Sequence, residues 1–283
     1  MTEVLLQADN LVKEFGSTKG GRSAPALRAV DEVSFTLHRR STLALVGESG
    51  SGKSTTARMV AQLIKPTSGR IELAGEDVTA ASGAALRSFR SRVQVVFQDP
   101  YSSLNPRHSV ETIVTAPLRY QKRRIPGGSR RFTQTLMERV GLDPDHCRRL
   151  PNQFSGGQAQ RIGIARALAV GPELVICDEA VSALDVSVQA QVINLLARLQ
   201  AEEGLSYLFI AHDLAVVRQI ADQVAVMSEG KIVESGDRAA VFERPQHDYT
   251  RKLLSAIPRI PAEWDQARKA AQAARTRPAE DDR

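Results

Sequence analysis

One eight-residue pattern constrains this chain more than any other feature. An apolar run rich in β-branched residues is followed by glycines, a lysine and a serine that fit G-x-x-x-x-G-K-[ST], and a segment of helical period comes next. The residues are Gly47, Glu48, Ser49, Gly50, Ser51, Gly52, Lys53 and Ser54. Glycines let backbone N–H groups turn inward around phosphate oxygens, and the helix start adds a favourable dipole. The pattern predicts that Lys53 reaches the outer phosphates of a nucleotide and that the Ser54 hydroxyl ligates Mg²⁺.

Short apolar runs alternate with longer helical segments along the chain, which is the sequence form of an α/β sheet. Four runs matter most, at residues 42–46, 93–97, 174–177 and 205–211. Each is followed at once by a glycine or a polar residue: Gly47, Gln98, Asp178 with Glu179, and His212. In open parallel sheets, ligands bind beyond the carboxyl ends of the strands. We therefore expect these residues to converge on one crevice.

The rest of the chain divides around this sheet. Residues 53–64 and 187–200 have the apolar spacing of sheet-covering helices, and 224–234 predict a hairpin that turns at 228–230. Residues 101–152 are rich in Pro, Arg and Ser, with one clear helical segment at 129–140, and predict a helical insertion outside the sheet. We predict an ATPase domain over 1–258, with the insertion at about 101–165. Residues 259–283 form an Ala/Arg-rich charged tail, predicted to be a loose helix or disordered.

The run at 174–177 ends in two acids, Asp178 and Glu179. An acid at a strand end is more often a cap for the following helix. Beside the phosphate loop, which is the glycine-rich segment at 47–54, this arrangement instead places one carboxylate near Mg²⁺ and leaves the next one to orient water. The pair therefore predicts the metal and water side of a phosphoryl-transfer site.

Further residues resemble the motifs of the ABC ATPases. The run Ser155, Gly156, Gly157 and Gln158, followed by Arg161, resembles the signature motif, and it lies just before the acidic strand as in that family. Gln98 resembles the Q-loop glutamine, residues 182–185 the D-loop ending in Asp185, His212 the switch histidine, and Phe15 the aromatic residue that stacks on adenine. Glycines that open a helix suit an anion whether or not the resemblance holds.

The resemblance implies a fold, a cofactor set and a mechanism. The fold is an α/β P-loop NTPase with a mainly parallel core sheet, an N-terminal antiparallel β subdomain and an inserted helical subdomain. Two such domains pair head to tail, so each ATP lies between one chain's phosphate loop and the other chain's Ser155 region. ATP and Mg²⁺ would be held by Lys53, Ser54 and Thr55, with Asp178 and Gln98 near the metal. Glu179 would polarise the attacking water and His212 would touch the γ-phosphate.

Residues beyond the shared motifs are similar to the ATPases of oligopeptide, dipeptide and nickel importers. The similarity covers about 5–258, and it is carried by 97–107, 182–191 and 245–258, the last containing His247, Asp248, Tyr249 and Thr250. It implies ATP hydrolysis that powers peptide import, at the cytoplasmic face of an inner membrane. The implied partners are a second ATPase in a homodimer or heterodimer, two permease subunits contacted through 101–107, and indirectly an extracytoplasmic binding protein. Some sister subunits carry a cysteine-rich cluster motif near the C-terminus. This chain lacks that motif, which favours the cluster-free member of a pair of different ATPases.

Composition limits the alternatives. No apolar run reaches the 18 to 20 residues of a membrane span, and the first ten residues lack the pattern of a signal peptide, so we expect a soluble cytosolic chain. Cys147 and Cys177 are too few for a disulfide framework or a four-cysteine metal site. The formal net charge is +6. One basic stretch contains no acid and is formed by Arg119, Lys122, Arg123, Arg124, Arg130 and Arg131.

That basic stretch leaves other classes to weigh. Nucleic acid or anionic lipid could bind it, although a solvated loop is the commoner meaning of such a run. A non-transport ABC ATPase that acts on nucleic acid or the ribosome is the alternative function. The short spacing between Lys53 and Ser155 and the single ATPase domain count against it, so no nucleic acid partner is expected. The presence of both Glu179 and His212 argues against a regulatory module without turnover.

Overall fold

The computed structural model describes residues 3–16, 18–19, 22–23 and 27–256. The predicted tail at 259–283 lies outside the described residues. Within the described part there are twelve strands and ten α-helices. The strands are β1 (Val4–Phe15), β2 (Thr18–Lys19), β3 (Arg22–Ser23), β4 (Leu27–His38), β5 (Thr42–Val46), β6 (Ser68–Leu73), β7 (Glu76–Asp77), β8 (Val93–Val96), β9 (Leu174–Asp178), β10 (Ser206–Ala211), β11 (Gln223–Ser228) and β12 (Lys231–Asp237). The helices are α1 (Lys53–Val60), α2 (Gly83–Arg92), α3 (Pro100–Ser103), α4 (Val110–Tyr120), α5 (Ser129–Arg139), α6 (Gly156–Leu168), α7 (Val186–Glu203), α8 (Leu214–Ile220), α9 (Arg238–Glu243) and α10 (Asp248–Ser255).

The central sheet has the strand order β12-β11-β5-β10-β9-β8. Every pairing in it is parallel except the hairpin pair β11 and β12. Strands β5, β9 and β10 are buried at every position, so they read as continuous apolar runs rather than as alternating ones. The predicted mainly parallel core sheet is confirmed, and so is the predicted hairpin.

A second sheet, ordered β4-β1-β6-β7, is antiparallel throughout. The alternating side chains of the central strands divide the apolar core between two faces. Leu43 and Leu45 of β5 pack in the cluster that includes the second sheet, with Leu6 and Ile71. Ala44 and Val46 pack in the other cluster, with α6 and α7. The predicted antiparallel β subdomain is therefore confirmed, and it covers one face of the central sheet.

Helices α3 to α6 lie in the chain between β8 and β9, where the sequence predicts an inserted helical unit. The helix expected at 129–140 is α5, but α4 was not anticipated as a helix. Pro117 lies inside α4, and proline removes a backbone hydrogen bond and disfavours a helix interior. Burial of Val110, Ile113 and Val114 against the core outweighs that local cost. The boundaries given for the insertion and for the ATPase domain stay predictions.

Candidate functional site

The carboxyl ends of four neighbouring parallel strands meet at one edge of the central sheet. The strands β5, β10, β9 and β8 are adjacent in that order, and Gly47, His212, Glu179 and Gln98 follow them in the chain. Asp178 is the last residue of β9. The convergence expected from the sequence is therefore present for the phosphate loop, the two acids and the histidine. Gln98 is exposed, two residues beyond the end of β8.

The phosphate loop joins β5 to α1. Gly52 caps α1 with φ of 100°, and a Cβ at this position would lie 2.5 Å from the Ala29 carbonyl oxygen of β4. Only glycine fits there, because both the backbone conformation and the contact exclude a side chain. A cleft of about 160 Å³ opens over the loop. Its lining residues include Ser49, Gly50, Gly52, Lys53, Ser54, Thr55 and Glu179, whereas Ser51 is buried and Glu48 is exposed.

Lys53 is the first residue of α1, and its side chain is enclosed by its own loop. The side-chain Nζ donates to the carbonyl oxygens of Gly47 at 2.9 Å and Glu48 at 2.7 Å. Burial lowers the pKa of Lys53, while the charges of Glu179 and Asp178 oppose that shift. The cation is therefore held at the loop, with two carboxylates close enough to affect it.

Ser54, the residue after Lys53, forms a hydrogen bond with Asp178 at the end of β9. The Ser54 hydroxyl donates to Asp178 Oδ1 at 2.7 Å, and Asp178 Oδ2 lies 3.9 Å from Arg58 Nε. A hydroxyl and a carboxylate are hard oxygen ligands, which suits Mg²⁺. No group of three or more His, Cys, Asp or Glu residues in the described ranges could hold a metal without other ligands. This donor set fits Mg²⁺ that completes its coordination with water and phosphate oxygens, as is usual for this ion.

Glu179 has an unusual backbone, with φ of 51°, which is uncommon for a residue that is not glycine. Its N–H donates to the Ile210 carbonyl oxygen at 3.1 Å, which fixes the turn against β10. The carboxylate Oε2 lies 3.8 Å from His212 Nδ1. Glu179 lines both the cleft over the phosphate loop and a small cavity that His212 also lines.

The Ser155 region opens α6 in a capping box. The Ser155 hydroxyl accepts from the Gln158 N–H, and the Gln158 side chain accepts from the Ser155 N–H at 3.0 Å. A cleft of about 360 Å³ is lined by Ser155, Gly157, Gln158 and neighbours. It shares no lining residue with the cleft over the phosphate loop. Within one chain the two helix starts therefore face different clefts.

Asp185 caps α7 rather than lining either cleft. Its Oδ1 accepts from the Val188 N–H at 3.0 Å and from the Ser187 hydroxyl at 2.7 Å. The hydrogen bond from Ser187 is the main cause of a lowered pKa for Asp185. Val188 packs directly against Gly157, so Asp185 shapes the surface beneath the signature glycines. Its predicted contact with nucleotide stays a prediction.

Phe15 ends β1, and about 46% of its surface is exposed. It pairs with Leu27 of β4, two residues before Ala29, which lines the cleft over the phosphate loop. The Lys13 ammonium lies 5.2 Å from the centre of the Phe15 ring. The ring is therefore accessible beside the cleft, as stacking on adenine requires, although the stacking stays a prediction.

A family model described as ABC transporter matches residues 30–182, more than half of the chain. The chain belongs to the ABC transporter family. A second model, described as the C-terminal region of oligopeptide/dipeptide transporters, matches residues 233–281. This ABC ATPase therefore carries the shared cassette followed by a region typical of peptide transporters.

Relatives at about half identity share most of the chain. A putative peptide import ATP-binding protein of Brucella abortus (strain 2308) is 52% identical over 261 residues, which cover 91% of this chain and 78% of that protein. The glutathione import ATP-binding protein GsiA of Pectobacterium atrosepticum is 51% identical over 258 residues, 90% of this chain. The ABC ATPase spans only 41% of that longer protein.

A solved structure supports the fold. The chain is similar to a dimeric, post-hydrolysis state of the ATP-binding cassette MJ0796 bound to ADP and Pi, with a TM-score of 0.72 and 26% identity. The match covers 82% of this chain and 98% of that one.

No helix within the described ranges has the length and apolar character needed to cross a membrane.

The structure also shows contacts that the sequence did not reveal. The Tyr249 hydroxyl accepts a hydrogen bond from the Glu48 N–H at 3.0 Å, which joins α10 to the phosphate loop. The Tyr101 hydroxyl donates to the Phe154 carbonyl oxygen at 2.8 Å, next to Ser155. Tyr249 lies in the motif at 245–258, but no rule of sequence spacing links it to Glu48, some 200 positions away. Only the fold could bring them together.

An apolar cleft of about 370 Å³ lies near the other end of the inserted helices. Its lining includes Leu63 after α1, Phe97 before Gln98, and Tyr120 of α4. Arg166 also lines it, and its guanidinium donates to the Ser103 carbonyl oxygen at 2.6 Å. The cleft is therefore connected both to the loop that carries Gln98 and to α3.

Proposed function

We propose that this ABC ATPase binds MgATP at the strand ends and hydrolyses it to power import of peptides or related small solutes. The observation that carries the proposal is the convergence of the phosphate loop, Asp178, Glu179 and His212 at one sheet edge. The names of the relatives and the match to a peptide transporter C-terminal region support import over an action on nucleic acid.

In this proposal the residues of the loop do the binding. Backbone N–H groups of 49–54 and the start of α1 face the phosphates, and Lys53 exchanges its two carbonyl partners for phosphate oxygens. Ser54 and Asp178 would hold Mg²⁺, with Gln98 nearby, and the bound ion would supply positive charge to offset the negative charge of the phosphates. Thr55 completes the loop side of the cleft, and Phe15 stacks on the base.

Glu179 and His212 act on the γ-phosphate side. The Glu179 carboxylate orients the attacking water and accepts its proton, and it is fixed for this by the backbone contact to Ile210. His212, 3.8 Å away, both orients that carboxylate and contacts the phosphate. Phosphoryl transfer needs little covalent help, so positioning and charge stabilisation carry the rate.

The Ser155 cleft is proposed to serve a second chain. Because the signature and phosphate-loop clefts share no residue, the Ser155 to Gln158 helix start is positioned to bind the γ-phosphate held by a partner ATPase subunit. The dimeric cassette to which the chain is similar supports this arrangement. The partner is a second ABC ATPase, identical or related.

The apolar cleft is proposed as the docking site for a permease segment. Such a segment would touch Phe97 and thereby reach the Gln98 loop, and Arg166 in the cleft lining contacts the Ser103 carbonyl oxygen, within the residues 101–107 expected to meet the permease. In this proposal the ATPase lies peripherally at the cytoplasmic face of an inner membrane, and two permeases and an extracytoplasmic binding protein complete the importer.

Uptake measurement tests the proposal. In the source cells, loss of this chain should abolish uptake of a labelled di- or oligopeptide, and the wild-type chain should restore it. A Glu179→Gln chain should be produced at the same level and should not restore uptake. The cells used must also lack any second ATPase of the same type. Normal uptake in such cells without this chain would exclude a role in peptide import.

A further inference from the structure

The C-terminal region ends in a helix that touches the nucleotide site. The Tyr249 hydroxyl, on the first turn of α10, accepts a hydrogen bond from the N–H of Glu48, the second residue of the phosphate loop. The tyrosine ring is partly buried and packs on the core cluster beneath the central sheet. The hydroxyl is thus presented to the loop by a side chain that packing holds in place.

The peptide unit that Tyr249 contacts is held on its other side by Lys53. The Gly47 carbonyl oxygen and the Glu48 N–H belong to one peptide unit, and Lys53 Nζ donates to that carbonyl at 2.9 Å. When Lys53 turns towards phosphate, this contact is lost. The hydrogen bond to Tyr249 then remains to hold the peptide unit in its orientation.

The start of the loop is also confined by the hairpin that carries the C-terminal region. A Cβ on Gly47 would lie 2.1 Å from the Met227 carbonyl oxygen of β11, so the loop backbone presses on this strand. Strand β12 pairs with β11, and its Glu234 carboxylate accepts from the N–H groups of Gln246 at 2.8 Å and His247 at 2.9 Å.

These two backbone contacts fix the beginning of α10. His247 Nδ1 in turn accepts from the Tyr249 N–H at 3.2 Å and caps the helix. A continuous series of contacts therefore runs from β11 through Glu234 and His247 to Tyr249, and returns to the phosphate loop at Glu48. Both ends of the series meet the same short loop.

We propose that Tyr249 is a positioning residue for ATP binding, through which the C-terminal region sets the geometry of the phosphate loop. Its hydroxyl keeps the 47–48 peptide oriented so that the N–H groups that follow stay directed at phosphate. This inference rests on the proposed ATP site. It gives a physical role to residues 234–249, within the region matched to peptide transporters.

The test replaces Tyr249 by Phe, which keeps the ring in the core and removes only the acceptor. Loss of one such hydrogen bond should raise the KM for ATP, and the dissociation constant of a fluorescent ATP derivative with Mg²⁺, by about three- to tenfold. The kcat should change less than about twofold, because no group that touches the reacting atoms is altered. Hydrogen exchange at the Glu48 amide should become faster in the nucleotide-free protein.

A matched control is Ser255→Ala, which removes a hydroxyl from the same helix that bonds only within it, to the Lys252 carbonyl oxygen. It should leave KM, binding and exchange unchanged. Unaltered KM and Glu48 exchange in Tyr249→Phe would overturn the inference, and so would a fall in kcat at constant KM. A wild-type protein that fails to bind MgATP would instead refute the proposed function, whereas the exchange measurement would still report on the contact.

Discussion

Glu179 Oε2 lies 3.8 Å from His212 Nδ1, and the two residues follow neighbouring parallel strands. Glu179 reaches this position through a left-handed backbone turn whose N–H is held by Ile210. The side chain is mostly buried, with about 21% exposed, whereas about 56% of His212 is exposed. The carboxylate is therefore fixed at the wall of the cleft, and the imidazole beside it is the more exposed of the two groups.

Replacing Glu179 by Gln should separate binding from turnover. Gln keeps the shape and can still accept a hydrogen bond, but it cannot take a proton from water. We expect steady-state phosphate release to fall by about 100-fold or more, while the affinity for MgATP stays within about threefold of wild type. Phosphate release and equilibrium binding of a fluorescent ATP derivative measure the two effects.

The matched control is Glu202→Gln, which removes an exposed glutamate from the far part of α7. It should leave both quantities unchanged. Equal phosphate release by Glu179→Gln and wild type would remove Glu179 from the role of general base.

The signature helix allows a second test, because two of its glycines differ in their surroundings. A Cβ on Gly157 would lie 2.3 Å from Val188 Cγ1, whereas a Cβ on Gly163 would meet nothing within 4 Å. Gly157→Ala should therefore push α6 away from α7 and displace Ser155 and Gln158 at its start. We expect ATP hydrolysis to fall at least about tenfold, since a misplacement of about 1 Å can cost far more.

Gly163→Ala is the control in the same helix. Alanine is the better helix residue, so this change should raise the free energy of unfolding by about 0.5–1 kcal/mol and leave hydrolysis intact. Phosphate release and urea unfolding measure the two outcomes. Because the phosphate loop is remote from Gly157, MgATP binding by Gly157→Ala should persist; its loss along with hydrolysis would count against a separate signature cleft.

Much of this site follows from local pattern. The roles of Gly52, Asp178 and Glu179 could be predicted from motifs only a few residues long. The buried parallel strands could be predicted because they are continuous apolar runs. The convergence of their carboxyl ends on one crevice was open to inference from the rule that ligands bind at strand ends. For these elements, local sequence and global fold agree.

Other features required the three-dimensional fold. Helix α4 contains Pro117, so its helical state depends on tertiary burial that outweighs local preference. The contact between Tyr249 and Glu48 joins positions 201 residues apart.

The apolar cleft gives a prediction about assembly. Leu63 lines the cleft, is about 47% exposed, and shares the apolar surface with Phe97 and Tyr120, and a contiguous surface of this kind marks a site that a partner can cover. Leu63→Glu should reduce co-purification with the permeases by about tenfold or more, while MgATP binding by the isolated subunit stays unchanged. Charge reversal by Arg107→Glu should have a weaker effect, because Arg107 is exposed and lies outside the cleft lining.

Val4→Glu offers a matched control, since Val4 is about 40% exposed on β1 and lies outside this cleft. Pull-down of the detergent-solubilised permeases with tagged ATPase gives the measurement. Full recovery of permeases with Leu63→Glu and loss with Arg107→Glu would move the docking site from the cleft to residues 101–107.

An ion-pair cluster at the opposite end of the sheet predicts a pH dependence of stability. Glu173, just before β9, accepts from Arg92 Nε at 2.5 Å and from Arg39 at 2.7 Å. These contacts, with Arg92 the larger cause, lower the pKa of Glu173 below its ordinary value of 4.5. A carboxyl with a lowered folded-state pKa stabilises the protein fully above its unfolded-state pKa, and the contribution is lost as pH falls through the folded-state pKa.

Wild type should therefore exceed Glu173→Gln in free energy of unfolding by about 1 kcal/mol at pH 7, and this difference should shrink at pH values below 4.5. Urea unfolding of both proteins from pH 7 to pH 3 measures it, and a difference that stays constant over this range would show that the ionised Glu173 does not contribute through these arginines.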